Sequence, residues 1–162
     1  MGFDLYSTKN NAYFRNNVWW WRRLASYVID KTGVVDEKNA EHWAYNNGHK
    51  VSKQEAFEIA KQLKHLISTG DVEKYALEVE KEIEQAEKYN VRVHKLQQKL
   101  KEIVEKKLGK EDIAPRDYPE HYHKRWDKIY SLQDFSSNYP FTVDNVKEFI
   151  EFCEKSEGFE IC

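Results

Sequence analysis

Along the chain, the spacing of apolar and polar positions changes period several times. At 2–6, GFDLY sets Phe3 and Leu5 against Asp4 and Tyr6, the two-residue repeat of a strand. STKNNAYFRNN follows as a polar, turn-rich stretch around Tyr13 and Phe14. Asn17 stands where an N-cap belongs, ahead of a helix predicted over 18–31 that Gly33 closes in the left-handed conformation. A short second helix after Asp36 is expected to carry Trp43. AYNNGHK at 44–50 reads as a turn, its Asn-Asn-Gly suited to positive φ. Ser52 and Glu55 then spell a capping box for a helix ending near Thr69, closed by Gly70. Its apolar face uses Ala56, Ile59, Leu63, Leu66 and Ile67.

From 71 to 108 there is neither proline nor glycine. Apolar residues recur at Val72, Tyr75, Val79 and Ala86, and again at Tyr89, Val93, Leu96, Leu100 and Ile103. The 3-4 spacing breaks only at Glu82, where Ile83 substitutes, and it predicts a coiled-coil-like helix over 71–109. At about 1.5 Å per residue an unbroken rod would reach roughly 57 Å. Either it folds back near Asn90 into a helical hairpin, or it pairs with another subunit; homo-oligomerisation through this helix is the preferred expectation. Beyond a loop, Pro119 opens a helix through Tyr130. SLQDFSSNYP at 131–140 is a second loop, and Thr142 caps a helix over 143–156 with Val146, Phe149, Ile150 and Cys153 inward. Gly158 ends it, and FEIC at 159–162 alternates like a terminal strand that pairs with GFDLY. The expected fold is α+β and mostly helical: a small antiparallel sheet from the two termini, plus a long central helix or helical hairpin. The chain (1–162) reads as one domain whose ends, 1–50 and 118–162, pack together.

Composition narrows the function classes. With 40% hydrophobic and 33% charged residues the chain is not disordered. The formal charge of -2 gives no general electrostatic affinity for nucleic acid. Ten tyrosines and five tryptophans are a surplus of aromatic groups with a polar handle, suited to interfaces and ligand pockets. Two cysteines, Cys153 and Cys162, make no disulfide framework and no zinc set. No apolar run approaches the roughly 20 residues of a membrane span. The N-terminus lacks the basic and apolar regions of a signal peptide, so a soluble, cytoplasmic protein is expected.

The stretch YFRNNVWWWRR at 13–23 carries the candidate chemistry. At about 100° per residue, three successive indoles span about 200° and cannot share one buried face. Trp21 falls with Leu24, Ala25 and Val28 on the core stripe, and Trp20 lies at its margin with Leu24 and Tyr27. Trp19 falls on the polar face with Arg22, Arg23, Ser26 and Asp30, where either another segment covers it or a ligand or subunit meets it. Arg15, Asn16 and Asn17 precede a helix N-terminus, whose N–H groups and dipole attract phosphate. Arg15 and Arg22 suit phosphate oxygens, Asn16 and Asn46 suit a base edge or ribose, and an exposed ring can stack on a base. The candidate ligand-binding set is therefore Tyr13, Arg15, Asn16, Asn17, Trp19, Trp20 and Arg22, with Tyr139 and Phe141 across the site. The same residue types also occur in protein–protein hot spots.

Nothing legible points to catalysis, a metal or a cofactor. HYH at 121–123 sets two histidines two apart, which diverge on a helix. His42 and His49 flank a turn and suit acid–base work, but no nucleophile pairs with either. There is no glycine-rich phosphate loop and no HExxH or GxSxG motif.

The two ends resemble an uncharacterised protein family common in bacteriophage genomes. Its members begin MGxDxY, carry YFRNNVWWWRPL, and end YPFxVxNVxEFxxF…GGFEIC. The matching text here is MGFDLY at 1–6, YFRNNVWWWRRL at 13–24, and YPFTVDNVKEFIEFC…EGFEIC over 139–162. Arg23 replaces the proline usual after WWWR, and the long helix replaces the paired CxxC motifs that many relatives carry. The resemblance implies that the ends form one unit with the YPF loop near the WWW helix. Its phage setting implies one class of activity: sequestering, without catalysis, a nucleotide signal of bacterial immunity, of cyclic ADP-ribose type or a cyclic dinucleotide. The rival expectations are a protein–protein inhibitor or adaptor acting on a host factor through the long helix and exposed aromatics, and an enzyme degrading such a nucleotide with His42 or His49.

Overall fold

The computed structural model describes residues 2–162; Met1 of the MGFDLY motif lies outside the described residues. The chain is 68% helical and divides into two compact units, residues 2–81 with 138–162, and residues 82–137. Residues 118–137 thus group with 82–117 rather than with the N-terminal end.

The first unit holds a four-stranded antiparallel sheet of β1 (Gly2–Ser7), β2 (Tyr13–Asn17), β3 (His49–Val51) and β4 (Phe159–Ile161), in the order β2-β1-β4-β3. The terminal strands pair as the alternation implies. Leu5 faces Ile161, and Asp4 and Cys162 exchange two backbone hydrogen bonds of 2.8 Å. The stretch read as turn-rich at 13–17 is instead the edge strand β2, paired with β1 from Tyr13 opposite Tyr6 to Asn17 opposite Gly2. His49–Val51, read as the end of a turn, is the other edge strand.

Helices α1 (Val18–Thr32) and α6 (Val143–Ser156) pack with this sheet, and α3 (Lys53–Ser68) packs against both of them. Each starts as its sequence dictates. Asn17 Oδ1 accepts from the Trp19 and Trp20 amides, Ser52 and Glu55 close the capping box, and Thr142 Oγ1 accepts from the Asn145 amide. The short α2 (Glu37–Ala40) runs into a 3₁₀ turn, Glu41–Ala44, which carries Trp43. The core is aromatic. Trp21 is stacked on both Phe3 and Trp43, at ring separations of 5.4 and 5.6 Å, and its Nε1 donates to the Trp43 carbonyl at 2.7 Å. Phe149 and Phe159 meet Trp43 edge-on. Glu157, at φ +51°, already leaves α6, and Gly158 follows at φ +102°. A Cβ on Gly158 would lie 3.0–3.1 Å from the backbone of Lys53 and Val51, so only glycine fits there.

The long helix α4 (Asp71–Leu108) is continuous, so the chain does not fold back at Asn90. That residue is buried for another reason. Its Nδ2 donates to the Asp134 carbonyl at 2.8 Å and its Oδ1 accepts from the Asp134 amide at 2.9 Å, tying the 131–137 loop to the helix. In the second unit Leu100 and Val104 form a core with Tyr118, covered by Ile113, Tyr122, Trp126 and Ile129, three of these from α5 (Glu120–Tyr130). The apolar register of α4 also differs from expectation. Val72, Val79, Ala86, Val93 and Leu100 are buried as read, but the row completing the buried stripe includes Asn90 and Val104, leaving Tyr89, Leu96 and Ile103 exposed. Among the described residues no helix is long and apolar enough to cross a membrane.

Candidate functional site

In the first unit, β2 alternates Phe14 and Asn16 inward with Tyr13, Arg15 and Asn17 outward. Where it turns into α1, the start of α6 lies alongside, and the two helix N-termini border a cleft of about 610 Å³. Arg15, Asn16, Asn17 and Trp20 line one side, and Thr142, Asp144, Asn145 and Glu148 the other. Asn16 is only 8% exposed and its Nδ2 has no hydrogen-bond partner. An amide buried without a partner costs about 1–3 kcal/mol in desolvation. The Asn16 side chain lines the cleft, and a ligand oxygen or ring nitrogen would accept from Nδ2 once the amide turned towards it.

The cleft is electrostatically two-ended. On one side are the Arg15 guanidinium, held 3.5 Å from Asp4, and the N-terminus of α1, which has no acidic residue in its first turn. That end attracts an anion. On the other side are Asp144, in the first turn of α6, and Glu148. These carboxylates accept from hydroxyls or amino groups. The half-buried Trp20, also lining the cleft, offers an indole face for a ring.

The structure brings four of the candidate residues, Arg15, Asn16, Asn17 and Trp20, to this cleft. Trp19 and Tyr139 are brought together elsewhere, edge-on at 5.1 Å, while Arg23 Nε donates to the Tyr139 carbonyl at 3.3 Å. Trp19 stays 41% exposed, and the segment that meets this indole on the polar face is the YPF loop. Tyr13 is exposed on the outer face of the sheet, packed on Tyr6 and hydrogen-bonded to Asp4, and that bond holds its phenol above the usual range. Arg22 lies about 200° round α1 from Trp20 and lines a smaller cavity of about 170 Å³ with Ile29, Asp30 and Trp43. Phe141 is buried between Tyr27 and Tyr75 and does not reach the cleft. Asn46 is committed to the Gly2 carbonyl at 2.7 Å. Sequence reasoning missed the acidic wall: Asp144 and Glu148 read as surface residues of an amphipathic helix, and only the antiparallel pairing of the chain ends brings them to β2.

His42 and His49 stack in parallel at 5.0 Å, and the His42 ring is 2.9 Å from the Asn47 amide nitrogen. Burial, then the neighbouring His42, pushes the His49 imidazole below its ordinary value. On α5, His123 faces Asp127 at 3.1 Å and His121 lies against the Tyr122 ring. The second unit has its own cavity, about 450 Å³, lined by His94, Gln97, Lys101, Tyr118 and Trp126 among others. Its cation is already engaged, since Lys101 bridges Glu105 and Asp112. Compared with family models, curated proteins and solved structures, the chain matches none.

Proposed function

We propose that this chain is a non-catalytic binding protein that holds a nucleotide-derived small molecule in the cleft between the N-termini of α1 and α6. The observation that carries the reading is the buried, unpartnered Asn16 amide in a cleft beside Trp20. A nucleotide has parts for each wall. Its phosphate goes to Arg15 and the start of α1, its base to the Trp20 face and the Asn16 donor, and its ribose hydroxyls or exocyclic amine to Asp144 and Glu148. With two carboxylates to one guanidinium, the cleft suits a ligand rich in hydroxyl and amino donors better than a bare polyphosphate. The phage-family resemblance supplies the setting we propose: a counter-defence protein that sequesters a cyclic ADP-ribose-type or cyclic dinucleotide signal in the host cytoplasm.

Isothermal titration of the folded chain with ADP-ribose-type and cyclic dinucleotide ligands tests this. Saturable heat with one class is expected, weakened by about tenfold or more in Trp20→Ala, as for loss of a stacking ring. Absence of heat with every such ligand would overturn the reading. Chromatography of the released ligand separates sequestration, which returns it intact, from degradation, which alters it.

A further inference from the structure

On α4, Tyr89, Leu96 and Ile103 are spaced by seven residues and are 44, 45 and 46% exposed. At about 100° per residue they form one straight stripe, roughly 70° round the helix from the stripe that Leu100 and Val104 bury against Tyr118 and α5. Three large side chains half-exposed in a heptad row are the geometry by which one helix receives another.

The flank away from α5 decides what kind of helix. It carries Lys88, Arg92, Lys95, Lys99 and Lys106. Lys88 lies 3.9 Å from Glu84, and Glu102 is three and four residues from Lys99 and Lys106. Glu102 shares the heptad position of Lys88 and Lys95, so the flank sets five cations against this one carboxylate. A second copy of this chain would set the cation row against itself in the antiparallel arrangement. In the parallel arrangement it would meet the flank that α5 already covers. An acidic partner meets no such opposition. We infer that the Tyr89–Leu96–Ile103 stripe is a docking seam for an amphipathic helix of another protein, with apolar residues in heptad spacing and glutamate or aspartate beside them.

The test uses the full chain and a labelled synthetic helix of about three heptads, with leucine at the core positions and glutamate at the flanks. Fluorescence anisotropy is expected to show saturable binding that weakens as salt rises from about 0.05 to 0.5 M. Leu96→Glu, a change at an exposed position, should weaken it about tenfold or more. The double variant Arg92→Glu, Lys99→Glu should lose the glutamate-flanked helix and bind the same helix with lysine flanks. Equal binding of both peptides by the wild type, or of neither, would overturn the inference. So would a dimer in sedimentation that Leu96→Glu dissociates, or binding of anionic lipid vesicles that this variant abolishes while the peptide stays unbound.

Discussion

Tyr118 and Asn16 are both buried with a side-chain polar atom that no neighbour satisfies, and they lead to opposite expectations. The Tyr118 hydroxyl sits in the small core of the second unit, 6% exposed, and burial raises its phenol above the ordinary value, so it stays protonated. A buried hydroxyl without an acceptor is a cost of about 1–3 kcal/mol. Tyr118→Phe, which keeps the ring against Trp126, is therefore expected to leave the urea midpoint unchanged or raise it. A fall would mean that the hydroxyl has a partner. Both residues line a cavity, of about 450 Å³ at Tyr118 and about 610 Å³ at Asn16, but at Asn16 the Arg15 guanidinium and the start of α1 favour a bound molecule that supplies the acceptor. At this scale much of the site was legible, because Arg15, Asn16, Asn17 and Trp20 are neighbours in sequence and the Asn17 cap fixes how the strand enters the helix. The roles of the indoles were not. Helical phase places Trp20 at the margin of the core and Trp19 on the polar face, but it cannot show that the Tyr139 loop covers one and the α6 N-terminus borders the other.

At the scale of elements, a helix with 3-4 spacing can complete its apolar stripe on either side of a shared spine. In α4 the spine is Val72, Val79, Ala86, Val93 and Leu100. The larger side chains, Tyr89, Leu96 and Ile103, mark one side, and the chain buries the other, where Asn90 and Val104 lie. Size favoured one row; the loop that needs Asn90 decides for the other, since its side chain satisfies both backbone groups of Asp134. Asn90→Asp removes the donor, sets a carboxylate against the Asp134 carbonyl, and is expected to cost about 1–3 kcal/mol. Hydrogen exchange should show the loss as faster exchange across the 131–137 loop. Unchanged protection there would contradict the anchoring role. The edge strands β2 and β3 escaped the alternation rule for a related reason. Only one of the two inward positions of β2 is apolar, the other being Asn16, and β3 has three residues. The capping residues of α1, α3 and α6 were readable because a cap is a local chemical requirement that needs no distant partner.

For the molecule as a whole, acid should act in two stages. The Tyr27 hydroxyl, then Lys31, holds the Asp71 carboxyl below its usual range, and Lys53 does the same for Glu157. Each contributes stability present above its ordinary value and lost as pH falls through the lower folded one. His49 follows the same sign from a different cause: burial and His42 disfavour its proton in the folded state, so the unfolded chain binds it more readily. Its contribution is full above about 6.5 and is lost as pH falls through the lower folded value. Urea midpoints should thus rise from pH 5.5 to 7.5, and His49→Gln should flatten that upper stage while leaving the carboxylate stage below it; an unchanged upper slope would contradict the assignment. The long helical segment and the pairing of the two chain ends were legible in the sequence; that α4 runs unbroken rather than folding back near Asn90 was not. The division of the chain into two units was not, because a proline-free, glycine-free helix runs through the point where they divide. The central claim, that the α1–α6 cleft holds a nucleotide-derived molecule, is tested most directly by mass spectrometry. The wild type and Asn16→Ala are purified from cells making nucleotide immune signals, and the small molecules that heat releases from each are identified. The account predicts an intact nucleotide-derived compound released from the folded wild type in near-stoichiometric amount and absent or strongly reduced from the folded variant. Release of no such compound from the folded wild type, or equal release from both proteins, would contradict it.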